Sequence, residues 1–189
     1  MAAVRDGDLS RLGLLFERHH TGLFDFFSRT LGDRPAAEDL VQEVFIRLLK
    51  YRRTYRDDGR FQTWMFHIAR NVRNDHLRKR RPDQLMADMP EPEAAGTDQA
   101  AAVEHAEDLE RLRRALLRLP DDRRELVVLA RYHGMTHEEI GAVLRVEPGT
   151  VRVRLHRALK ELRTLVETMT TGERTPCDAN KSSSSLRTF

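Results

Sequence analysis

The sequence predicts an all-α protein built from two small helical domains. Apolar residues recur at three- and four-residue spacings through most of the chain, which is the period of an amphipathic helix. Only 12 of the 189 residues are aromatic and 33% are charged, a composition more typical of helix-rich proteins than of β-sandwiches. A chain of this length has room for one ordinary domain or two small ones.

The charges are distributed unevenly along the chain. Residues 1–81 carry a net charge of +6 and residues 111–171 carry +5, whereas residues 82–110 hold nine carboxylates and no Lys or Arg. Three prolines and a glycine interrupt any helix in the acidic stretch. We therefore expect a basic domain over 8–81, a flexible acidic linker over 82–104, a second basic domain over 105–169 and a disordered tail over 170–189. Basic domains suggest a polyanionic partner, although a solvated surface would explain the charge equally well.

The first domain is predicted to contain three helices. The first covers residues 8–31 and ends at Gly32, and the second opens with Asp33-Arg34-Pro35. The second helix has an apolar face, and its other face carries an acidic stripe, namely Asp39, Gln42, Glu43 and Ile46. This stripe is either a docking surface for a basic partner helix or simply a solvated face.

The third helix of this domain is predicted from Phe61 to about Arg80. A helical wheel places one group of apolar residues toward the core, namely Phe61, Trp64, Met65, Ile68 and Val72. A second stripe holds His67, Asn71, Asn74 and Arg78. Amides and guanidinium groups in one row are the groups that read base edges. Ten of the 12 aromatic residues precede residue 67, so stacking of extruded bases on Phe61 or Trp64 is one possibility and a core role is the other.

The second domain is predicted to contain a helix-turn-helix unit. Helices are expected over 107–119 and 122–133, the latter with Asp122 and Glu125 at the spacing of a capping box. Thr136-x-x-Glu139 marks a further capping box, which is followed by a short helix, a tight turn and a long basic helix from Pro148. A tight turn between two helices, the second strongly basic, is typical of helix-turn-helix DNA-binding units.

The long helix separates a core face from a polar face. Residues at its polar face include Thr150, Val153, His156 and Arg157, and Arg152 and Arg154 flank them at positions suited to phosphates. Arg157 can make a bidentate contact to guanine, and Val153 can touch a thymine methyl group.

Three segments occur in order along the chain: DLVQEVF from Asp39, FxxWxxxIARN from Phe61 and GTVRxRLxRA from Gly149. Together they resemble the extracytoplasmic-function (ECF) sigma factors of bacterial RNA polymerase, and the resemblance covers about residues 9–166. It implies a sigma region 2 bundle that docks on core polymerase and opens the −10 promoter element. It also implies a sigma region 4 helix-turn-helix that binds the −35 element as duplex. The acidic linker would then thread a basic channel of the polymerase.

The resemblance assigns candidate residues to three surfaces. Those for core polymerase are Asp39, Gln42, Glu43 and Ile46. Those for the −10 element are Phe61, Trp64, His67, Arg70, Asn71, Asn74 and Arg78, with Asn71 at the position that reads an extruded base. Those for the −35 element are Thr136, Thr150, Arg152, Val153, Arg154, His156 and Arg157. The implied partners are core RNA polymerase, promoter DNA and an anti-sigma factor, and we expect no cofactor and no metal.

The chain departs from the family pattern in places. Arg145 stands in the turn where the family often has Gly, which costs about 1 kcal/mol if the backbone there is left-handed. Val153 replaces a common Ser, so promoter preference is expected to differ. The tail has no counterpart in the family.

Two other functions stay open. An enzyme would need His133 with His137, or Asp57 with Asp58, as metal ligands, but the two histidines flank a helix boundary and do not share one helix face. A helix-turn-helix regulator acting alone would explain residues 121–166 and leave the acidic stripe and the aromatic-rich first domain without a role.

The sequence also suggests the compartment. No apolar run approaches the roughly 20 residues that a membrane-spanning helix needs, and no apolar stretch near the N-terminus resembles a signal sequence. Cys177 is the single cysteine, which excludes an intrachain disulfide. We therefore expect a cytoplasmic protein.

Overall fold

The computed structural model describes residues 1–57, 59–79 and 100–173, and over these ranges the chain forms eight α-helices and no strand. The helices of the N-terminal unit are α1 (Ala2–Arg5), α2 (Arg11–Leu31), α3 (Arg34–Lys50) and α4 (Phe61–Lys79), with a 3-10 turn at Arg52–Thr54. The helices of the C-terminal unit are α5 (Ala100–Arg118), α6 (Asp121–Arg131), α7 (His137–Leu144) and α8 (Pro148–Glu173). The predicted all-α class is confirmed.

The helix boundaries of the N-terminal unit follow the expected local signals. Gly32 ends α2 in the left-handed conformation, with φ of 74°, and its N–H donates to the Ser28 carbonyl. The Asp33 side chain caps α3 by accepting from the Ala36 N–H at 3.0 Å. The short helix α1 was not predicted, and its Val4 is fully buried. The N-terminal unit therefore begins before residue 8.

Two predictions for the C-terminal unit need correction. Helix α5 begins at Ala100, so residues 100–104 of the predicted linker are helical. The predicted capping box of Asp122 and Glu125 is wrong, because α6 begins at Asp121 without a side-chain cap. Glu125 is instead only 3% exposed, and it faces α4. The rest of the predicted linker and residues 174–189 lie outside the described residues.

The helix-turn-helix is built by local interactions that the sequence signalled. The Thr136 hydroxyl accepts from the Glu139 N–H at 3.2 Å, and the Glu139 carboxylate accepts from the Thr136 N–H at 2.8 Å. Arg145 ends α7 with φ of 58° and ψ of 48°, so the left-handed turn considered above is present. The turn also comes very close to α7, because a Cβ built on Gly141 would lie 2.7 Å from the Val146 carbonyl oxygen.

The two units pack against each other and share one continuous apolar core. Helices α2 and α4 of the N-terminal unit contact α5, α6 and α7 of the C-terminal unit. The buried apolar side chains form a single cluster that includes Phe26 and Phe66 on one side and Leu116 and Leu129 on the other. The sequence predicted two domains, but it gave no sign that they would pack directly together.

Replacing Gly141 by Ala should destabilise the protein. The new methyl group would press on the Val146 carbonyl, which is backbone and cannot rotate away, so we expect a loss of about 1 to 3 kcal/mol in the free energy of unfolding. Urea denaturation followed by circular dichroism measures this. Gly149→Ala is the matched control, because a methyl group at that position of α8 meets no atom within 4 Å. Equal stability of the two variants would contradict the close approach.

Candidate nucleic-acid interface

Helix α4 carries the row of polar residues that the sequence singled out. Its buried face holds Met65, Ile68 and Val72, as the wheel predicted. On another face, Asn71 and Arg78 are exposed and Asn74 is half-buried. The last two to three turns form an open groove of about 690 Å³ lined by Asn71, Asn74, Asp75, Leu77 and Arg78. The structure therefore brings most of the predicted row together at one accessible groove.

The aromatic residues at the start of α4 pack on one another. Trp64 lies edge-on to Tyr55, with ring centroids 5.2 Å apart, and Phe61 lies 6.1 Å from the same ring. The His19 ring covers Phe61 from α2 at 5.1 Å. Phe61 and Trp64 are half-buried, so each supports the fold while keeping part of its surface accessible.

His67 and Arg70 of the predicted −10 set face the C-terminal unit. The Arg70 Nε lies 3.4 Å from the Glu125 Oε2 of α6. Burial, with Arg145 and Arg70 nearby, lowers the pKa of His67, which keeps its imidazole neutral at pH 7. These two residues are therefore partly occupied by the contact between the units.

A buried ionic cluster forms the centre of that contact, and the sequence analysis missed it. Arg73 of α4 is 2% exposed, and its guanidinium lies 3.7 Å from Asp121 and 3.9 Å from Glu125. Burial raises the pKa of Glu125, an effect opposed by Arg73 and Arg70. Among the described residues, the Glu125 Oε1 and the Arg73 Nε and Nη2 find no hydrogen-bond partner. The cluster is closely packed but incompletely satisfied.

Arg124 joins the two units through backbone carbonyl groups. Its guanidinium donates to three carbonyls near the end of α5, namely those of Leu116, Leu117 and Leu119. The same group donates across the contact to the Thr30 carbonyl of α2 at 2.7 Å. One side chain thus caps α5 and binds the end of α2.

Aromatic packing completes the contact between the units. The His133 ring lies 4.6 Å from Phe66 and 6.1 Å from Phe26, both of the N-terminal unit. Burial lowers the pKa of His133 to about 4, so it is neutral here. The Arg29 guanidinium stacks 3.8 Å above the ring of Tyr132. This histidine was considered as a metal ligand, but its ring serves as a packing group.

Helix α8 presents the predicted −35 surface to solvent. Its exposed residues are Arg152, Val153, Arg154, His156 and Arg157. Thr150 is half-buried at the first turn, and Thr136, at the N-terminus of α7, is occupied by its capping box. Thr150 and Arg154 line a second groove of about 550 Å³ together with Arg145. A basic helix face of this kind suits the major groove of DNA.

The acidic stripe of α3 is also accessible. Asp39 and Gln42 are exposed, and Ile46 is 61% exposed, which is high for an isoleucine. Glu43 pairs with Arg47 at 2.6 Å, and Arg47 pairs in turn with Asp75 of α4 at 2.8 Å. The stripe thus combines negative charge with an exposed apolar side chain.

Comparison with known proteins matches both units to one family. The model of sigma-70 region 2 matches residues 15–82, and that of sigma-70 region 4 matches residues 109–162. The RNA polymerase sigma factor CarQ of Myxococcus xanthus is 35% identical over 168 residues, which cover 88% of this chain and 95% of CarQ. The ECF RNA polymerase sigma-E factor of Escherichia coli is 34% identical, covering 82% of this chain and 86% of that protein.

The chain belongs to the ECF sigma factors of the sigma-70 family. Its N-terminal unit is region 2 and its C-terminal unit is region 4. The resemblance seen in the three sequence motifs is therefore confirmed.

Solved structures agree with this assignment. The structure of CnrH in complex with the cytosolic domain of CnrY has 27% sequence identity to this sigma factor and a TM-score of 0.67, covering 88% of this chain and 94% of CnrH. The sigma factor RpoE of Bartonella quintana, solved in complex with the anti-sigma factor NepR, has 23% identity and a TM-score of 0.66, covering 82% and 96% of the two chains. The latter shows the same fold.

Neither a metal-binding cluster nor a membrane-spanning helix is present within the described residues. Within residues 1–57, 59–79 and 100–173, no three His, Cys, Asp or Glu side chains come together as a group able to hold a metal ion. None of the described helices is both long and apolar enough to span a membrane.

Reversing the charge of Glu125 should separate regions 2 and 4 in the free protein. Glu125→Lys would place a third cation beside Arg70 and Arg73 in a site that excludes water, whereas a lysine on the separated region 4 would be hydrated. Small-angle X-ray scattering should therefore report a larger radius of gyration, with the helical circular dichroism retained. Glu167→Lys makes the same charge change at an exposed position of α8 and should not alter the radius. An unchanged radius for Glu125→Lys would contradict the role given to the cluster.

Proposed function

We propose that this ECF sigma factor binds core RNA polymerase through α3, reads and opens the −10 element with α4, and binds the −35 element with α8. The observation that supports this best is that one chain presents three accessible surfaces of suitable chemistry, each on the helix that carries the matching family motif. The protein would act in the cytoplasm as a specificity factor for the polymerase, and we assign no catalytic role to any residue.

The polymerase surface is the acidic stripe of α3. Asp39, Gln42 and Glu43 offer carboxylate and amide groups to a basic partner, and the exposed Ile46 supplies an apolar anchor. In a docked complex Ile46 could bury its side chain against an apolar group of the partner while the neighbouring carboxylates pair with basic groups.

The −10 surface is the groove at the end of α4. Asn71 and Asn74 can hydrogen-bond to an extruded base, and Arg78 can contact the phosphate backbone of the single strand. Phe61 and Trp64 lie two or more turns earlier on the same helix, where their accessible parts can stack on neighbouring bases.

The −35 surface is the exposed face of α8. Arg157, Val153 and His156 would reach base edges in the major groove, while Arg152, Arg154 and Thr150 would contact phosphates. Thr136 lies at the N-terminus of α7, and the N-terminus of a helix is suited to contact a phosphate of the DNA backbone.

Promoter binding requires that regions 2 and 4 separate. Elements named −10 and −35 lie about 25 base pairs apart, or roughly 85 Å along B-form DNA. In this structure α4 contacts α7 and α7 contacts α8, so two helix packing distances of about 10 Å each separate the two reading helices. The packed arrangement is therefore a closed form of the sigma factor that has to open on the polymerase.

Two further partners follow from this assignment. The acidic residues between the two units would lie in a basic channel of the polymerase, because five carboxylates and no Lys or Arg within residues 82–99 match such a channel electrostatically. An anti-sigma factor would hold the protein inactive by covering the polymerase or DNA surfaces, as suggested by the anti-sigma complexes of similar sigma factors.

Run-off transcription tests the proposed function directly. Core bacterial polymerase mixed with this protein should start transcription from a discrete site on some genomic fragments, and core alone should not. Failure with every cognate core would overturn the proposal. Binding of the same fragments equally tightly with and without polymerase would instead favour a helix-turn-helix regulator that acts alone.

Asn71→Ala should impair promoter opening without weakening the affinity for core polymerase, because it removes a base-reading amide that is not part of the acidic stripe. Permanganate footprinting measures opening, and a fluorescence titration measures core binding. Gln62→Ala is the control. Gln62 lies nine residues before Asn71, which is about two and a half turns of the helix, so it faces away from the groove on the opposite side of α4. Normal footprints for Asn71→Ala would remove it from the −10 surface.

Arg157→Ala should lose roughly 1 to 3 kcal/mol of discrimination at one base pair of the −35 element. Competition binding with every single-base substitution of the promoter identifies that position. Arg163→Ala, an exposed change nearly two turns further along α8, should reduce discrimination at none of them. A uniform loss of affinity over all substitutions would make Arg157 a phosphate contact.

A further inference from the structure

Four charged side chains of alternating sign form a chain between α3 and α4. The Arg47 Nε donates to the Glu43 Oε1 at 2.6 Å, and its Nη1 donates to the Asp75 Oδ2 at 2.8 Å. The second oxygen of Asp75 accepts from Arg78. Arg47 is therefore shared between two carboxylates, and Asp75 is shared between two guanidinium groups.

The two ends of this chain lie on different proposed surfaces. Glu43 belongs to the acidic stripe of α3, the proposed polymerase surface. Arg78 belongs to the groove of α4, the proposed −10 surface. The side chain of Arg78 is 78% exposed and that of Arg47 only 24%, so the middle of the chain is sheltered while its end meets solvent.

Asp75 controls how much of the Arg78 charge is available. Hydrogen bonds from Arg47 and then Arg78 lower the pKa of Asp75, although burial opposes them, so it stays ionised. An ionised carboxylate in the groove repels a DNA phosphate and competes with that phosphate for Arg78. If Arg47 pairs more closely with Asp75, it neutralises more of the carboxylate charge. Asp75 then repels the phosphate less and competes less for Arg78.

We propose that Arg47 is a positioning residue that couples the docking of polymerase at Glu43 to the release of Arg78 toward the −10 strand. When a basic group of the polymerase engages Glu43, Arg47 is no longer shared and pairs fully with Asp75. Asp75 then holds Arg78 less firmly, and Arg78 becomes free to bind a phosphate. This inference rests on the proposed function, since it needs both surfaces to act as assigned.

The coupling has to work in both directions. If polymerase strengthens the binding of the −10 strand by some factor, the strand must strengthen the binding of polymerase by the same factor. Breaking the chain of charges should therefore reduce both effects together, without abolishing either binding event.

The test measures binding of a fluorescent single-stranded −10 oligonucleotide, taken from the run-off promoter, to the free sigma factor and to the holoenzyme over a range of salt concentrations. Asp75→Asn should raise the affinity of the free protein roughly fivefold, because Arg78 is freed without polymerase. Its salt dependence should steepen by about 0.7 in log–log slope, the amount expected for one added phosphate contact on a single strand. The holoenzyme should change little, so the enhancement by core should shrink.

Arg47→Gln should have the opposite effect in the holoenzyme. Asp75 would then hold Arg78 alone, so the affinity for the oligonucleotide should fall roughly fivefold and the salt slope should become shallower by about 0.7. Adding Asp75→Asn to the same chain should restore both values. A merely structural role for Arg47 would not produce this rescue of the salt slope. Arg53→Gln is the control, because Arg53 is exposed in the 3-10 turn and makes no ion pair within the described residues.

The outcomes separate this inference from the proposed function. If the unchanged holoenzyme does not bind the −10 oligonucleotide, the proposed function itself fails. If it binds, and Asp75→Asn and Arg47→Gln match Arg53→Gln in affinity, in slope and in enhancement by core, the coupling role of Arg47 is overturned. Circular dichroism on each variant verifies that a loss of binding is not a loss of folding.

Discussion

The contact of Glu125 with Arg70 and Arg73 orients region 4 on region 2. It places a carboxylate of region 4 against the helix that carries the −10 surface, with Glu125 and Arg73 almost completely buried. Removing such charges from water is costly, and several of their polar atoms find no hydrogen-bond partner among the described residues. The cluster therefore adds orientation more than stability, and the apolar contacts of His133, Phe66 and Phe26 hold the two regions together.

An incompletely satisfied interface suits the proposed opening of the protein on the promoter. Water or DNA phosphates can provide the hydrogen bonds that the closed form leaves unmade, which reduces the cost of separating the regions. Arg124 also keeps the cost of separation low. Three of its four carbonyl partners belong to region 4, so it keeps those hydrogen bonds when the bond to Thr30 is lost. Helix α4 has three different contacts: one face packs in the core of region 2, another contacts region 4, and a third is the proposed surface for the −10 strand.

Local signals in the sequence predicted most of the helices and the candidate surfaces. The capping box of Thr136, the helix end at Gly32 and the apolar stripes each depend on residues within four positions of one another, and the structure has them as expected. The prediction of a capping box at Asp122 was wrong because Glu125, although it has the right spacing, pairs with Arg70 and Arg73 of α4 instead. Short α1 lacked the periodicity that would have revealed it.

The contacts that pattern reasoning missed are those between distant parts of the chain. Arg73 and Glu125 are 52 positions apart, and Arg47 and Asp75 are 28 apart, so no periodic signal connects them. The one available hint was that Phe66, Ala69 and Arg73 follow a helical spacing of three and four, which placed a charged residue on an otherwise apolar stripe. The exact partner of such a charge becomes known only from the packed structure.

Regions 2 and 4 are packed together in the free sigma factor, and we propose that they separate on the promoter. Single-molecule energy transfer between dyes on Arg53→Cys and Arg163→Cys, with Cys177→Ser to remove the native thiol, measures this directly. We expect high transfer efficiency in the free protein and a large fall in the open promoter complex with core polymerase. The same high efficiency in both states would contradict it.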